Sequence, residues 1–277
     1  MIDAALFRQK HQLWLRLAFI SFSVSDPWVK SRLYEFSQIE FRHLKWLAQT
    51  LYENDSYYDY ERDHHFTIES DSFFTLLQTA IDEIQSIRLL YRDTPLCQRM
   101  HHDEKYILST LTAYLDKLTL DEPLSAFNRA REWPDALLNA SETDALTLFL
   151  FEELYKEYEL IMVYFYRQIR ADTPAQVTHF QDLIDESHFH LRSFGEMMAK
   201  MGILALPRTL HPRTYEITDM GKFLHNGILE EENAKEECRR LSSSITDEKL
   251  STFFEFINYQ ESYHIEIMKK LLGEING

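Results

Sequence analysis

The chain has 277 residues, a net charge of −16 and only six glycines and seven prolines. Such an acidic chain, without any run of lysine or arginine, is not expected to bind nucleic acid or an anionic membrane surface, and the scarcity of helix breakers predicts an all-α protein. Its two cysteines, Cys97 and Cys238, form no C-x-x-C pair, which excludes a zinc ribbon, a rubredoxin-type tail or an iron–sulfur motif.

The first half of the chain reads as four helices with short connections and one polar loop. A capping residue precedes proline at Asp26-Pro27 and again at Thr94-Pro95, a combination that is typical of a helix start. The apolar stretch Leu13–Val24 contains Arg16 and is too short to span a bilayer, so we assign it to the first helix and expect a cytoplasmic protein. The four helices are predicted over residues 3–23, 27–53, 71–92 and 95–120.

The second half repeats this order of elements after a connector over 121–141, in which a short helix is predicted around Ser125–Glu132. The Asp-Thr-Pro of 93–95 recurs at 172–174, and a long crossover, Gly202–Thr218, precedes the last hairpin. The fold class is therefore all-α, with two four-helix bundles in tandem. The predicted helices cover 142–170, 174–201 and both arms of a hairpin between Asp219 and Leu272, and the predicted domains are 1–120 and 142–277.

The last hairpin places carboxylates in its interior. Small and apolar residues recur along its first helix at steps of three and four, and Glu231 falls on the same line. In the second helix, Glu261 and His264 are three residues apart and share one face. Residues 231 and 261 are equidistant from Thr246 in the turn, so the two acids should lie at one level. A buried carboxylate facing a Glu-x-x-His pair is half of a dimetal carboxylate site.

The preceding hairpin supplies the other half of such a site. Asp185 and His188 have the same i, i+3 spacing, and reflection of Asp185 through the turn at Asp172 selects Glu159 on the opposing helix. Both hairpins thus place an acid opposite an acid-x-x-His motif. The predicted metal ligands are Glu159, Asp185, His188, Glu231, Glu261 and His264.

Some of these assignments have alternatives. Glu186 and His190 form an i, i+4 pair on a neighbouring face and can replace Asp185 and His188, while Glu152 lies on the same line as Glu159. Tyr166 is the candidate catalytic residue and, like Tyr155 and Tyr263, can approach the metals as a hydrogen-bond donor or radical site; an ordinary role in the core is the alternative.

This arrangement resembles the ferritin-like superfamily of four-helix di-iron carboxylate proteins, which includes bacterioferritins and rubrerythrins. The segment Glu159–Tyr166 is similar to the first metal helix of bacterioferritins. Asp185-Glu186-Ser187-His188 resembles the second motif, although the ligand position is Asp where most members have Glu. The resemblance covers about residues 143–272, and it implies a four-helix fold and a site for two iron ions or for manganese.

The first half of the chain repeats this motif incompletely. Glu40 and His43 lie on the second predicted helix and Glu83 on the third, but the first helix lacks an acid at the expected level. One metal ion is the most that these residues are expected to bind. A polar network in the core is the alternative interpretation.

Two metal ions bridged by carboxylates can bind dioxygen or peroxide and transfer electrons in pairs. We therefore predict a non-haem iron or manganese oxidoreductase, as an oxygenase acting on a small organic substrate, with an external electron donor and with a homodimer as one compatible assembly. A tunnel lined by residues such as Phe149, Leu183 or Ile228 would favour this function.

Ferroxidase or peroxidase activity is a second hypothesis, favoured by acids leading inwards from the surface. The third is a non-catalytic helical binding protein with an empty site.

Overall fold

The computed structural model describes residues 4–60, 67–68, 70–118, 120–121, 124–127 and 133–276. Within these ranges the chain is all-α, as predicted, and its long helices form antiparallel pairs. None of the helices described is long and apolar enough to span a membrane. The helices are α1 (Ala4–Ser23), α2 (Pro27–Glu53), α3 (Phe73–Arg88), α4 (Pro95–Leu115), α5 (Ala140–Gln168), α6 (Pro174–Lys200), α7 (Pro212–Tyr215), α8 (Met220–Ser244) and α9 (Glu248–Asn276).

The helix starts follow from side chains that cap them. Thr94 and Thr173 each accept a hydrogen bond from the backbone N–H three residues later, and each is followed by a proline in the first turn, which confirms the predicted starts of α4 and α6. Asp26 does the same for α2. The start of α3 differs from the prediction, because Ser72 accepts from the Thr75 N–H and thereby sets the first helical residue.

Other predicted boundaries also differ from the structure, and α3 ends at Arg88 rather than near 92. Helix α4 ends at Leu115 rather than near 120, because the chain tightens into a turn in which the Leu118 N–H donates to the Tyr114 and Leu115 carbonyls. The short helix predicted at Ser125–Glu132 is seen as a 3-10 turn over Ser125–Phe127, and residues 128–132 lie outside the described ranges, as does Asp3.

The chain divides into two compact units. Unit 1 comprises Met1–Arg129 with Gly202–Leu210, and it contains α1 to α4. Unit 2 comprises Ala130–Met201 with His211–Gly277, and it contains α5 to α9. Gly202 follows the C-terminal end of α6 with a φ of 74°, a left-handed conformation that suits glycine and ends the helix.

Glu142 connects the start of α5 to the turn between α8 and α9. Asn139 caps α5, and the Glu142 carboxylate accepts hydrogen bonds from the Asn139 N–H and the Thr246 N–H, both at 2.7 Å. These backbone hydrogen bonds hold the pKa of Glu142 below its ordinary value of 4.5. The carboxylate therefore fixes one end of both hairpins of unit 2 with respect to each other.

We expect Glu142→Gln to lower the melting temperature at pH 7, because the neutral amide is a weaker acceptor for two backbone donors. The contribution of Glu142 is present above the ordinary pKa and is lost as the pH falls through the lowered pKa of the folded state, so the difference between wild type and variant should shrink below about pH 4. Thermal melts between pH 3 and 7 measure this effect. Glu255→Gln, on the exposed face of α9, is the control and should show no such difference. A constant difference across this range would contradict the assignment.

Candidate metal centre

Helices α8 and α9 bring Glu231, Glu261 and His264 together in the interior of unit 2. Residues 231 and 261 are equidistant from the turn, which is why they lie at the same height in the hairpin. All three side chains are buried. On α8, Glu231 lies on one buried line with Leu224, Cys238 and Leu241. The helices can approach closely here because Gly227 has no side chain; a Cβ at this position would lie 3.1 Å from the sulfur of Met268.

The centre consists of two triads that share one carboxylate. Glu231, Glu261 and His264 form the first triad, and Glu157, His190 and Glu261 form the second. Within each triad the ligand atoms lie within 4.8 Å of one another. Since Glu261 belongs to both, its carboxylate lies between the two imidazoles, whose ring centres are 5.5 Å apart. The two Glu–His sets, which share one carboxylate, could hold metal ions.

Both imidazoles point Nδ1 towards this shared carboxylate. The Nδ1 of His190 is 2.9 Å from Glu157 Oε1 and 3.6 Å from Glu261 Oε1. The Nδ1 of His264 is 3.0 Å from Glu261 Oε2 and 3.6 Å from Glu231 Oε1.

Oxygen atoms outside the triads face the other ring nitrogens. Gln260 Oε1 lies 3.1 Å from the Nε2 of His190, and Glu186 Oε2 lies 2.8 Å from the Nε2 of His264. Such outer partners fix the orientation of an imidazole that binds a metal through its other nitrogen.

Several polar atoms of the centre are close to one another without being hydrogen bonded. Glu157 Oε2 and both ring nitrogens of His264 are buried and have no hydrogen-bond partner among the described residues, although carboxylate oxygens lie as near as 2.8 Å to His264. Short distances in directions unsuited to hydrogen bonds are expected for side chains that converge on a common ion. The donor set therefore fits metal binding.

The charges of the centre shift the pKa values of its members. Burial alone would lower the pKa of His190, but the charge and hydrogen bond of Glu157 outweigh it and raise that pKa to about 9. Burial and the adjacent Glu231 charge hold the pKa of Glu261 well above its ordinary value. Burial opposes ionisation of Glu231 as well, but its contacts with Glu261 and His264 keep its pKa below the ordinary value. A divalent cation can displace the protons held in this way.

The structure does not bring Glu159, Asp185 or His188 into either triad. Glu159 is partly exposed, Asp185 is exposed and accepts a hydrogen bond from Gln181 one turn earlier, and His188 is buried outside the triads. Glu157 takes the place of Glu159 and His190 that of His188, each two residues away from the residue expected from the sequence, while no acid of α6 belongs to a triad. Two residues along a helix amount to a rotation of about 200°, which exchanges the inner and outer faces.

The alternative pair Glu186/His190 is divided between two roles. His190 belongs to a triad, whereas Glu186 contacts the outer nitrogen of His264. Glu152, the alternative to Glu159, is exposed. A signal that could have selected Glu157 is its i, i+4 spacing from Glu153, because both acids fall on one line with the apolar Leu150, Leu154 and Ile161.

Tyr164 rather than Tyr166 faces the centre. The Tyr166 ring packs against Tyr215 and against the guanidinium of Arg170, which lies 3.5 Å from the ring centre. Tyr164 follows Glu157 by seven residues on the same face of α5 and is completely buried. Burial, followed by the charges of Glu231 and Glu157, raises its pKa, and its hydroxyl has no hydrogen-bond partner among the described residues.

A cavity of about 370 Å³ lies between α5 and α8 of unit 2. Phe149, Leu148 and Leu241 form an apolar part of its wall, and Glu152 and Glu237 form an acidic part; Leu183 and Ile228 do not line it. Glu153 also lines it. Burial raises the pKa of Glu153 to about 7 against the opposing effect of Lys156, and the charges of Glu157 and Glu231 also raise it.

In unit 1, Glu40 and His43 are also buried, but their third neighbour is Glu104 of α4 rather than Glu83. Glu83 forms an ion pair with Arg16 at 2.7 Å and is outside this cluster. The residue that fills the centre of the cluster is Lys10, whose ammonium contacts Glu40 and Glu104.

The described chain is thus an all-helical protein with buried carboxylate–histidine clusters that could bind metal ions. Comparisons with protein-family models, with curated proteins and with solved structures found no match.

Removal of the Tyr164 hydroxyl should stabilise the metal-free protein. A buried hydroxyl without a partner retains its desolvation cost, so Tyr164→Phe should raise the free energy of unfolding by up to about 1 kcal/mol. Tyr91→Phe is the matched comparison, because the Tyr91 hydroxyl donates to Glu104 Oε1 at 2.6 Å and its loss should destabilise by about 1 kcal/mol. Urea unfolding in the presence of a chelator measures both. Equal destabilisation by the two changes would show that Tyr164 has a partner.

Proposed function

We propose that unit 2 binds two divalent metal ions, iron or manganese, and acts as a non-haem dimetal carboxylate oxidoreductase. The observation that carries this proposal is the pair of buried triads sharing Glu261. Three carboxylates and two imidazoles form an oxygen-rich donor set, which suits iron or manganese better than zinc or copper. Without bound cations, so many buried acids would be tolerated only if some of them were protonated.

Each triad would hold one ion. Glu157 and His190 would bind the first, Glu231 and His264 would bind the second, and Glu261 would lie between them. Glu159, Asp185 and His188 are not part of this assignment. A pair of such ions, when bound, can bind dioxygen or peroxide and exchange electrons in pairs.

The surrounding side chains would control orientation and access. Gln260 is hydrogen bonded to Nε2 of His190, and Glu186 lies close to Nε2 of His264, so Nδ1 of both imidazoles is left to face the centre. The cavity next to Glu153 offers a small molecule an approach to the centre, and its apolar wall at Leu148 and Phe149 is compatible with an organic substrate. Oxygenation of such a substrate requires two electrons from outside, so an external donor is part of the proposal.

Iron or peroxide handling is the second candidate function, and the acidic part of the cavity favours it. Glu152, Glu153 and Glu237 line one space, which gives a divalent cation carboxylates to contact on its way inwards; Arg240 also lines it and pairs with Glu237. Ferroxidase and oxygenase activity would use the same centre and differ in what enters the cavity. A relationship with the ferritin-like superfamily, with tandem four-helix bundles, also belongs to this proposal; its support is the paired helices and their acid and histidine pattern.

Metal content tests the ligand assignment. Protein loaded anaerobically with Fe(II) and desalted should retain about two ions per chain. Glu261→Gln should lose both ions because it removes the shared ligand, while Glu157→Gln and His190→Gln should lose at least one. The matched controls are Glu159→Gln and Asp185→Asn, one on each helix, which should retain wild-type metal. Loss of metal in the controls but not in Glu157→Gln would overturn the assignment, and absence of metal from wild type would favour a non-catalytic binding protein.

Dioxygen consumption distinguishes the two activities. When Fe(II)-loaded protein is mixed with dioxygen, uptake should be faster than for Glu261→Gln treated in the same way. Continued uptake with excess Fe(II) and production of Fe(III) in solution would identify iron oxidation. A single turnover that needs an added reductant to repeat would favour the oxygenase. Uptake by wild type no faster than by Glu261→Gln would contradict an oxidoreductase function.

A further inference from the structure

Unit 1 contains a completely buried lysine surrounded by the kind of ligands that bind metal in proteins. The side chain of Lys10 has no exposed surface. Its Nζ donates hydrogen bonds to Glu40 Oε2 of α2 and Glu104 Oε1 of α4, and it lies 3.0 Å from Nδ1 of His43. An ammonium group has three N–H donors, and each has an acceptor here.

The imidazole in this cluster has the same orientation as those of unit 2. His43 directs Nδ1 towards Lys10, and its Nε2 lies 3.1 Å from Asp103 Oδ2. Asp103 in turn accepts a hydrogen bond from Arg99. His43 is the sixteenth residue after Pro27, and His190 is the sixteenth residue after Pro174, the prolines that begin their helices. The two histidines therefore occupy the same position along corresponding helices.

Two oxygen atoms of the cluster remain without hydrogen bonds. Glu40 Oε1 and Glu104 Oε2 are buried and have no partner among the described residues. One oxygen of each carboxylate is thus used by Lys10, and the other is available to a second donor or to a cation. The ligand atoms of Glu40, His43 and Glu104 lie within 4.8 Å of one another, a spacing that one ion can bridge.

We propose that Lys10 holds a cation site of unit 1 closed: its ammonium occupies the position of a metal ion among Glu40, His43 and Glu104, and its removal opens a site for one divalent cation. The inference does not depend on the function proposed for unit 2. It assigns to Lys10 the role of a permanent counter-ion, so that unit 1 has no requirement for metal. It also predicts that the native chain binds no ion at Glu40.

Physical chemistry gives the reason why Lys10 should exclude a metal ion. A divalent cation and an ammonium group cannot share three ligand atoms, because their charges repel and the space is filled. Without Lys10, two buried carboxylates would face each other, which is costly unless a cation compensates them. A small divalent ion in the space left by the side chain offers that compensation and uses the two oxygens that now lack partners.

The experiment uses Lys10→Ala in the full chain, in a background carrying Glu261→Gln so that unit 2 contributes no metal. Co(II) alone is the probe, and the readouts are Co(II) per chain after desalting and amide hydrogen exchange of α1, α2 and α4 with and without Co(II). The matched control is Lys105→Ala, the same change on the exposed face of α4. The double change Lys10→Ala with Glu40→Gln tests the ligands.

Lys10→Ala should gain about one Co(II) per chain over its parent, and Co(II) should slow exchange in α1, α2 and α4. Lys105→Ala should gain none, and Glu40→Gln should abolish the gain. If Lys10→Ala folds only when Co(II) is present, the proposal is also supported. No gain in Co(II), unfolding of Lys10→Ala even with Co(II), or Co(II) in the parent chain that Glu40→Gln removes would overturn it. None of these results depends on whether wild-type unit 2 binds metal.

Discussion

The constraint on which this structure depends is the cost of placing carboxylates in the interior of a helical unit. A buried carboxylate must be neutralised, hydrogen bonded or paired with a cation, and the cost rises when a second acid lies beside it. In unit 2, Glu231 and Glu261 face each other on α8 and α9. His190 contacts both Glu157 and Glu261, so a third acid belongs to the same cluster. Lys156, the nearby cation, pairs with Glu153 at the edge of the cavity and does not reach the triads. The side chains therefore leave the central charge to protons or to bound ions.

The two units meet the same constraint in different ways. In unit 1 the cation is part of the chain, since α1 carries Lys10 into the cluster of Glu40 and Glu104. Burial would raise the pKa of Glu40, but the charges and hydrogen bonds of Lys10 and His43 outweigh this effect and lower the pKa to about 2. In unit 2, α5 contributes the acid Glu157 to the triads, so it adds a negative charge where Lys10 of α1 adds a positive one to the cluster of unit 1.

The sequence predicted α8 and α9 well because one tight turn and one narrow buried line determine their geometry. The buried residues of α8 form a single narrow line, and Glu231 lies on it between Leu224 and Cys238. Helix α5 is different, since it buries residues on several sides and a period of 3.6 residues fits more than one of its faces. Reflection of Asp185 through the turn selected Glu159, but the face of α5 that carries Glu159 also carries Leu148, which is 68% exposed, so the inner face is rotated towards Glu157. The role of Lys10 was also beyond the sequence, because a lysine is rarely buried and its partners lie on α2 and α4, far away in the chain.

Access to the centre decides which chemistry unit 2 can perform. Glu153 lines the cavity and is affected by the charges of Glu157 and Glu231, and it forms an ion pair with Lys156, whose side chain is about half exposed. An ion pair so close to solvent contributes little to stability, so its opening costs little. A cation passing this point would replace Lys156 as the partner of the Glu153 carboxylate. The charge of Glu153 would therefore remain compensated. An apolar molecule would have to displace the pair and leave Glu153 unpaired beside two further acids, which is less favourable unless the carboxyl group is protonated. Since burial raises the pKa of Glu153 to about 7, protonation near neutral pH would remove much of that cost.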